Sequence, residues 1–399
     1  MSVDLRTRVD GKRAPIEAAR LFGEALPARL DAHRERIAPG ARELALVDLC
    51  IETDGEPWTL AWRGDHVEVQ EGSHGQARVL LSSEQLADLV DDQSTPIALM
   101  SNRLLEMPEG GLPDFLNWWL VLRSALDGRR IHARGDVILE GEIPRSFTPD
   151  DSDDDMRAFL EEAGYLHIRG LFSADEMAAV AADYPKAAPH FEKGDPRAWF
   201  ATTRDGEEHL VRMEGFERYS EVTRTLIDSD RFQRIGRIPG VGHVYGKGAR
   251  VGALSKPIGV VQGISDVPWH KDCSLGRHSY ECCSLTVGIS VTGADADSGQ
   301  LRVVPGSHRA LIWPAPCLQP GLDLQPIDLP TQTGDVTVHL SCTQHMSQPP
   351  VKRTRKVLYT GFGQPAADPE AADRERRRLQ TVRSRTHTSV SQQPGYLGD

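Results

Sequence analysis

Val267-Pro268-Trp269-His270-Lys271-Asp272 sets a histidine and an aspartate two residues apart in a stretch that reads as a β-strand. Side chains alternate between the faces of a strand, so His270 and Asp272 project to the same side. An imidazole and a carboxylate placed this way supply two of the three ligands of a facial metal site. A histidine from a distant strand supplies the third, and the remaining positions on the metal stay open. His345 lies downstream, and Arg355 follows it by ten residues (355 − 345). The planar fork of an arginine can grip a carboxylate through two parallel hydrogen bonds. These residue types in this order point to a non-haem Fe(II) centre working with a carboxylate-bearing co-substrate.

An HxD pair alone arises by chance in many chains. In isolation His270 reads as a half-buried histidine, and Asp272 as a turn residue before Ser274 and Gly276. The surrounding text carries the decision. Glu281 to Val291 (ECCSLTVGISV) reads as a buried strand. Ser298 to Arg309 (SGQLRVVPGSHR) comes next, then Gly334-Asp335-Val336, His345-Met346-Ser347 and Arg355. This succession resembles the phytanoyl-CoA dioxygenase family, whose pattern runs PWHxD, a strand, NGPLRVVPGSH, GD, HxS and a final arginine. The resemblance spans roughly residues 152–363, and its separated motifs stand in the right order. The opening FLEEAGYLHIRGLFSADEMAAV, from Phe159 to Val180, also resembles the start of such a domain, with Ser173 and Glu176 spaced as a capping box.

The resemblance implies a double-stranded β-helix, a cupin-like jelly roll with flanking helices, whose pocket holds the iron. It implies His270, Asp272 and His345 as the catalytic metal ligands for Fe(II). 2-Oxoglutarate and O₂ would be the co-substrates, with Arg355 on the far carboxylate of 2-oxoglutarate and Ser347 as its hydroxyl partner. The activity implied is hydroxylation of an unactivated C–H bond in a small or lipid-like organic substrate, with release of succinate and CO₂. Related halogenases replace the carboxylate ligand, so an intact Asp272 favours hydroxylation; a desaturase or cyclase using the same site is the alternative.

Other histidines compete for the third place. His308 lies 36 residues after Asp272 (308 − 272), but Leu318 stands where its arginine would be, and in the family this turn is structural. His339 faces inward by strand alternation and suits a core position or one beside the ligands. His243 and His278 read as surface or pocket-lining residues. The chain also departs from the family pattern. Lys271 replaces a frequent glutamine, and Gly288 replaces a bulky aromatic, which predicts a wider pocket. Lys256 of the Lys256-Pro257 segment reads as a solvated lysine, and Trp313 as a residue of the substrate mouth or its rim.

With 399 residues, two domains are the natural expectation. A composition of 39% hydrophobic and 26% charged residues, with mean hydropathy −0.40, is that of a soluble globular chain. The net charge of −12 excludes a general nucleic-acid binder, whose footprint is a basic face. No apolar run follows the basic N-terminus and none reaches the length of a transmembrane segment, so a cytoplasmic enzyme is expected. Cys50, Cys273, Cys282, Cys283, Cys317 and Cys342 contain no CxxC pair and read as free thiols.

Residues 1–142 read as a separate α+β domain. Helical spacing from Ile16 to Ile37 precedes strand-like segments at Leu44–Glu52, Trp58–Trp62 and Ala77–Leu81, then a helix from Ser83 and another from Pro113 to Leu126. ETDGEPWTLAW, a VxV strand, ARVLLSSEQLADLV and the late helix together resemble a sterol-carrier-protein-2-like domain. That resemblance implies an apolar tunnel for lipids, while Trp118 and Trp119 suit core packing first. A lipid carrier with a scaffold oxygenase domain is therefore the reading from another functional class. Residues 143–155 read as an acidic linker, 156–363 as the oxygenase domain, and 364–399 as a charged tail.

Overall fold

A computed structural model describes residues 16–101, 103–246, 250–263, 267–273, 284–365, 369–370 and 373. Expectations for His278, Cys282, Cys283 and most of the charged tail lie outside these residues. Among the described residues, no helix is long and apolar enough to cross a membrane. Cys50 and Cys317 are free thiols.

The N-terminal unit is α+β. Its five-stranded sheet runs in the order Val67–Glu71, Glu56–Trp62, Leu49–Thr53, Ala77–Leu81, Glu106–Glu109. The helix Ser83–Val90 starts at a true capping box: Ser82 Oγ accepts from Gln85 N at 3.2 Å, and Gln85 Oε1 accepts from Ser82 N at 2.7 Å. Leu112–Asp127 buries Phe115, Leu116, Trp118, Trp119, Val121 and Ala125, a broad apolar surface that makes it the centre of this core. Gly128 ends it with φ of 68°, a left-handed conformation that glycine adopts without steric cost. Both tryptophans pack in that core. Trp118 Nε1 donates to Val47 O at 2.6 Å, and the Arg123 guanidinium sits 4.9 Å from the Trp119 ring centre.

The second unit consists of two antiparallel sheets around a shared core, the arrangement of a jelly roll. The larger, of eight described strands, runs Val260–Gln262, Ala198–Thr203, Glu208–Glu214, Gly252–Lys256, Arg355–Gly363, Ser284–Ser290, Val336–Leu340, Tyr165–Ile168. The smaller, of four, runs Val267–His270, His345–Ser347, Leu301–Val303, Ile327–Leu329. Helices Asp153–Ala163 and Ala174–Ala187 flank them, the second opened by the Ser173–Glu176 capping box. The Gly334-Asp335 pair has a clear structural task. Gly334 has φ of 87°, and a Cβ there would run into the Phe172 carbonyl. Asp335 then accepts from Gly170 N at 2.9 Å and Gln332 N at 2.7 Å, and pairs with His167 Nε2 at 2.9 Å. This fastens Val336–Leu340 to its edge neighbour.

Residues 143–155 do not form a loose strand between bodies. Phe147 is buried and exchanges backbone hydrogen bonds with His167 and Arg169, and Asp153 already belongs to the first flanking helix. Ser152 caps that helix, and Arg234 Nε meets Asp153 Oδ1 at 2.7 Å. The units also interlock further on. Leu311, Trp313 and Ala315, which follow the PGSH turn, are members of the N-terminal core. His132 N donates to Leu311 O at 3.2 Å, and Trp313 Nε1 donates to Asn117 Oδ1 at 2.9 Å. Trp313 is thus an inter-unit anchor, and the expectation of a mouth or rim residue is corrected. Trp313→Ala should lower unfolding stability by about 3–5 kcal/mol, as for other large aromatic truncations. Denaturant unfolding followed by far-UV dichroism checks this; a wild-type midpoint would contradict the interlock.

Candidate active site

His270, at the end of Val267–His270, pairs across the smaller sheet with His345, the first residue of His345–Ser347. Asp272 lies just past the strand end, in a turn rather than on the strand itself, and still reaches the same side. His270 Nε2 and His345 Nε2 lie 3.3 Å and 3.7 Å from Asp272 Oδ1. One ligand atom from each of the three residues lies within 4.8 Å of the other two. The imidazoles are oriented from behind. His270 Nδ1 faces Pro268 O at 2.6 Å, and His345 Nδ1 faces Thr343 O at 2.9 Å. A carbonyl can only accept, so Nδ1 carries the proton in each ring and Nε2 presents its lone pair.

The electrostatics suit a cation. Burial alone would raise the Asp272 carboxyl, but His345 together with His270 and His339 holds it well below the usual carboxylate range. Burial, aided by the neighbouring His339 and His270, pushes His345 well below the ordinary imidazole value, which keeps it neutral. The site thus offers one anionic oxygen and imidazole nitrogens, the hard–borderline donor set that Fe(II) accepts.

Arg355 opens the strand Arg355–Gly363 and is only 4% exposed. Its Nη1 donates to Gly299 O at 2.6 Å and approaches Ser347 Oγ at 3.4 Å, while Nη2 approaches Tyr359 Oη at 3.4 Å. Among the described residues its Nε has no hydrogen-bond partner and no carboxylate pairs with it. A buried cation left this way costs several kcal/mol unless an anion joins it. The guanidinium borders a small pocket between the sheets, lined also by Gly288, Leu301, Thr337 and Val357. Arg353, by contrast, is exposed and ion-paired with Asp295.

Several expectations change here. Lys256 is 5% exposed, not solvated: it stands opposite Arg355 across the sheet and donates to Ser347 Oγ at 2.6 Å and Gln348 O at 3.0 Å. Sequence pattern missed it because the burial follows from cross-strand register. Gly288 does not simply widen the pocket, because the Tyr359 ring takes up the neighbouring space; an added Cβ would lie 3.1 Å from Tyr359 Cε1 and 2.9 Å from Thr337 Oγ1. Lys271 points away from the ligands and donates to Ser307 O at 3.1 Å and Ala310 O at 3.3 Å, its ammonium pushed down to about 8 by burial. His308 is buried against the first flanking helix, facing Glu161 O at 3.0 Å, and burial pushes it down to about 3. His243 is buried, so a surface position is excluded.

Residues 160–354 match the family model of phytanoyl-CoA dioxygenase (PhyH). This segment is an Fe(II)- and 2-oxoglutarate-dependent dioxygenase domain. No curated protein matches the chain. Among solved structures, AviO1 from Streptomyces viridochromogenes Tue57 is 19% identical, with a TM-score of 0.43 over 55% of this chain and 97% of that one. EctD from S. alaskensis with 2-oxoglutarate and 5-hydroxyectoine is 18% identical, with a TM-score of 0.44 over 59% and 83%. The epimerase SnoN from nogalamycin biosynthesis is 16% identical, with a TM-score of 0.40 over 55% and 88%.

The tight fit at Gly288 has a measurable consequence. Gly288→Ala should lower stability by about 1–3 kcal/mol, the usual cost of overpacking. Thermal unfolding checks it, and an unchanged midpoint would mean that Tyr359 does not occupy that space.

Proposed function

We propose that this protein hydroxylates an unactivated C–H bond of a small or lipid-like organic substrate. The overall change is R–H + 2-oxoglutarate + O₂ → R–OH + succinate + CO₂. The observation that carries the reading is the convergence of His270 Nε2, Asp272 Oδ1 and His345 Nε2, together with a buried Arg355 that has no acidic partner among the described residues. Bound Fe(II) supplies the redox chemistry that activates O₂ at the expense of 2-oxoglutarate.

The chain's own residues do the rest. Asp272 contributes the negative charge, and the backbone carbonyls of Pro268 and Thr343 fix both ligand imidazoles in the required tautomer. Arg355 binds the far carboxylate of 2-oxoglutarate and orients the molecule. Ser347, whose oxygen already accepts from Lys256, keeps its own proton to donate to that carboxylate. Around Arg355, Leu301, Leu329 and Val357 stand beside the hydroxyls of Ser290, Thr331 and Thr337, a mixed lining suited to a molecule with a polar end. An intact Asp272 supports hydroxylation over halogenation; desaturation or ring closure would use the same residues and differ only in the product.

The N-terminal unit supports a second reading, in which an apolar substrate is held near the oxygenase unit. Its resemblance to a sterol-carrier domain goes with a small gap in the core lined by Phe22, Ile51, Leu81, Phe115 and Trp119 among other apolar side chains. A pure carrier role fits less well, because a scaffold has no use for a full ligand set beside an arginine.

His270→Ala, Asp272→Ala and His345→Ala should each lose most bound iron and nearly all succinate release, with folding retained. Iron analysis beside a turnover assay over lipid, acyl-CoA and amino-acid-derived pools checks this. Full activity in His345→Ala would move the third ligand elsewhere. Arg355→Leu should weaken apparent 2-oxoglutarate affinity by roughly 10- to 100-fold, or about 1.4–2.7 kcal/mol, while iron affinity holds. An unchanged 2-oxoglutarate dependence would assign the clamp to another group such as Lys256.

A further inference from the structure

The two oxygens of Asp272 meet different neighbours. Oδ1 faces the two ligand imidazoles. Oδ2 accepts from Thr286 Oγ1 at 2.7 Å and lies 3.3 Å from His339 Nε2. Thr286 and His339 are themselves a directly opposed pair, on the adjacent strands Ser284–Ser290 and Val336–Leu340 of the larger sheet. Two donors from one rung of that sheet therefore meet one oxygen of a residue that follows a strand of the other sheet.

His339 is 1% exposed, and its Nδ1 is buried with no hydrogen-bond partner among the described residues. A buried bare lone pair costs less than a buried unmet N–H next to an available carboxylate, so the ring proton belongs on Nε2. With that proton, Nε2 donates to Oδ2 and has no lone pair to give a metal. His339 also packs against His345, with ring centres 4.1 Å apart, and so braces a second ligand.

We propose that Thr286 and His339 are positioning residues that clamp Asp272 Oδ2 and so keep the carboxylate monodentate, with Oδ1 alone directed to the metal. A carboxylate free to turn would chelate through both oxygens and take a position that the co-substrate or O₂ needs. The clamp thus preserves the open face on which a two-histidine, one-carboxylate site depends. This inference rests on the assignment of His270, Asp272 and His345 as ligands.

Anaerobic titration of the full chain with Co(II), read by visible absorption, separates the two claims. If the wild-type chain binds no single equivalent, or His345→Ala binds it unchanged, the ligand assignment itself fails. Given one-equivalent binding, Thr286→Val and His339→Phe should each weaken Co(II) affinity by about 10- to 100-fold, the usual cost of losing an outer partner of a ligand. The cobalt spectrum should change with them. Thr286→Ser and His339→Gln, which keep a donor, should restore both affinity and spectrum and also control for folding. Wild-type affinity and spectrum in Thr286→Val and His339→Phe would overturn the clamp. So would a His339→Gln chain as defective as His345→Ala, since that outcome makes His339 a ligand.

Discussion

Across the antiparallel pair of Val267–His270 and His345–Ser347, His270 stands opposite His345, and this register is the constraint on which the centre depends. A slip of one residue would turn one imidazole to the far side of the sheet and separate the two nitrogens. The register is held from both flanks. Leu301–Val303 pairs with His345–Ser347 on the other side, with Val303 opposite His345. Beyond the strand, Lys271 N donates to Pro314 O at 2.9 Å, which fixes the residue between His270 and Asp272.

Pro314 belongs to the segment whose neighbours Trp313 and Ala315 are buried in the N-terminal core. A short physical route therefore runs from the helix Leu112–Asp127, through Asn117 and Trp313, to the backbone of the HxD turn. The route is made of a side-chain hydrogen bond, a packed indole and a backbone hydrogen bond. Disturbance of the N-terminal core would reach His270 and Asp272 through these contacts. The two units divide the chain by core but not by contact.

Charge explains the other half of the site. Lys256 and Arg355 are both buried and both approach the Ser347 hydroxyl, which sets two cationic side chains beside one neutral oxygen. Much of this was legible in the residues. HxD, the distal histidine and the arginine carry the chemistry locally, and the Ser173 capping box and the aromatic helix ending at Gly128 follow from short-range rules. What escaped is set by partners distant in sequence. The burial of Lys256 depends on its place opposite Arg355, and the filling of the space at Gly288 depends on Tyr359. Trp313 reads as a pocket residue until the N-terminal core is assembled around it. His339 could be placed inward by alternation, but its meeting with Asp272 beside Thr286 requires both sheets.

A crystal structure of the chain grown without oxygen with Fe(II) and 2-oxoglutarate, with anomalous scattering measured at the iron edge, tests the central claim most directly. The account predicts a single iron peak bonded to His270 Nε2, Asp272 Oδ1 and His345 Nε2, with the far carboxylate of 2-oxoglutarate on Arg355. Iron bound at another set of side chains, or 2-oxoglutarate bound with Arg355 untouched, would contradict it.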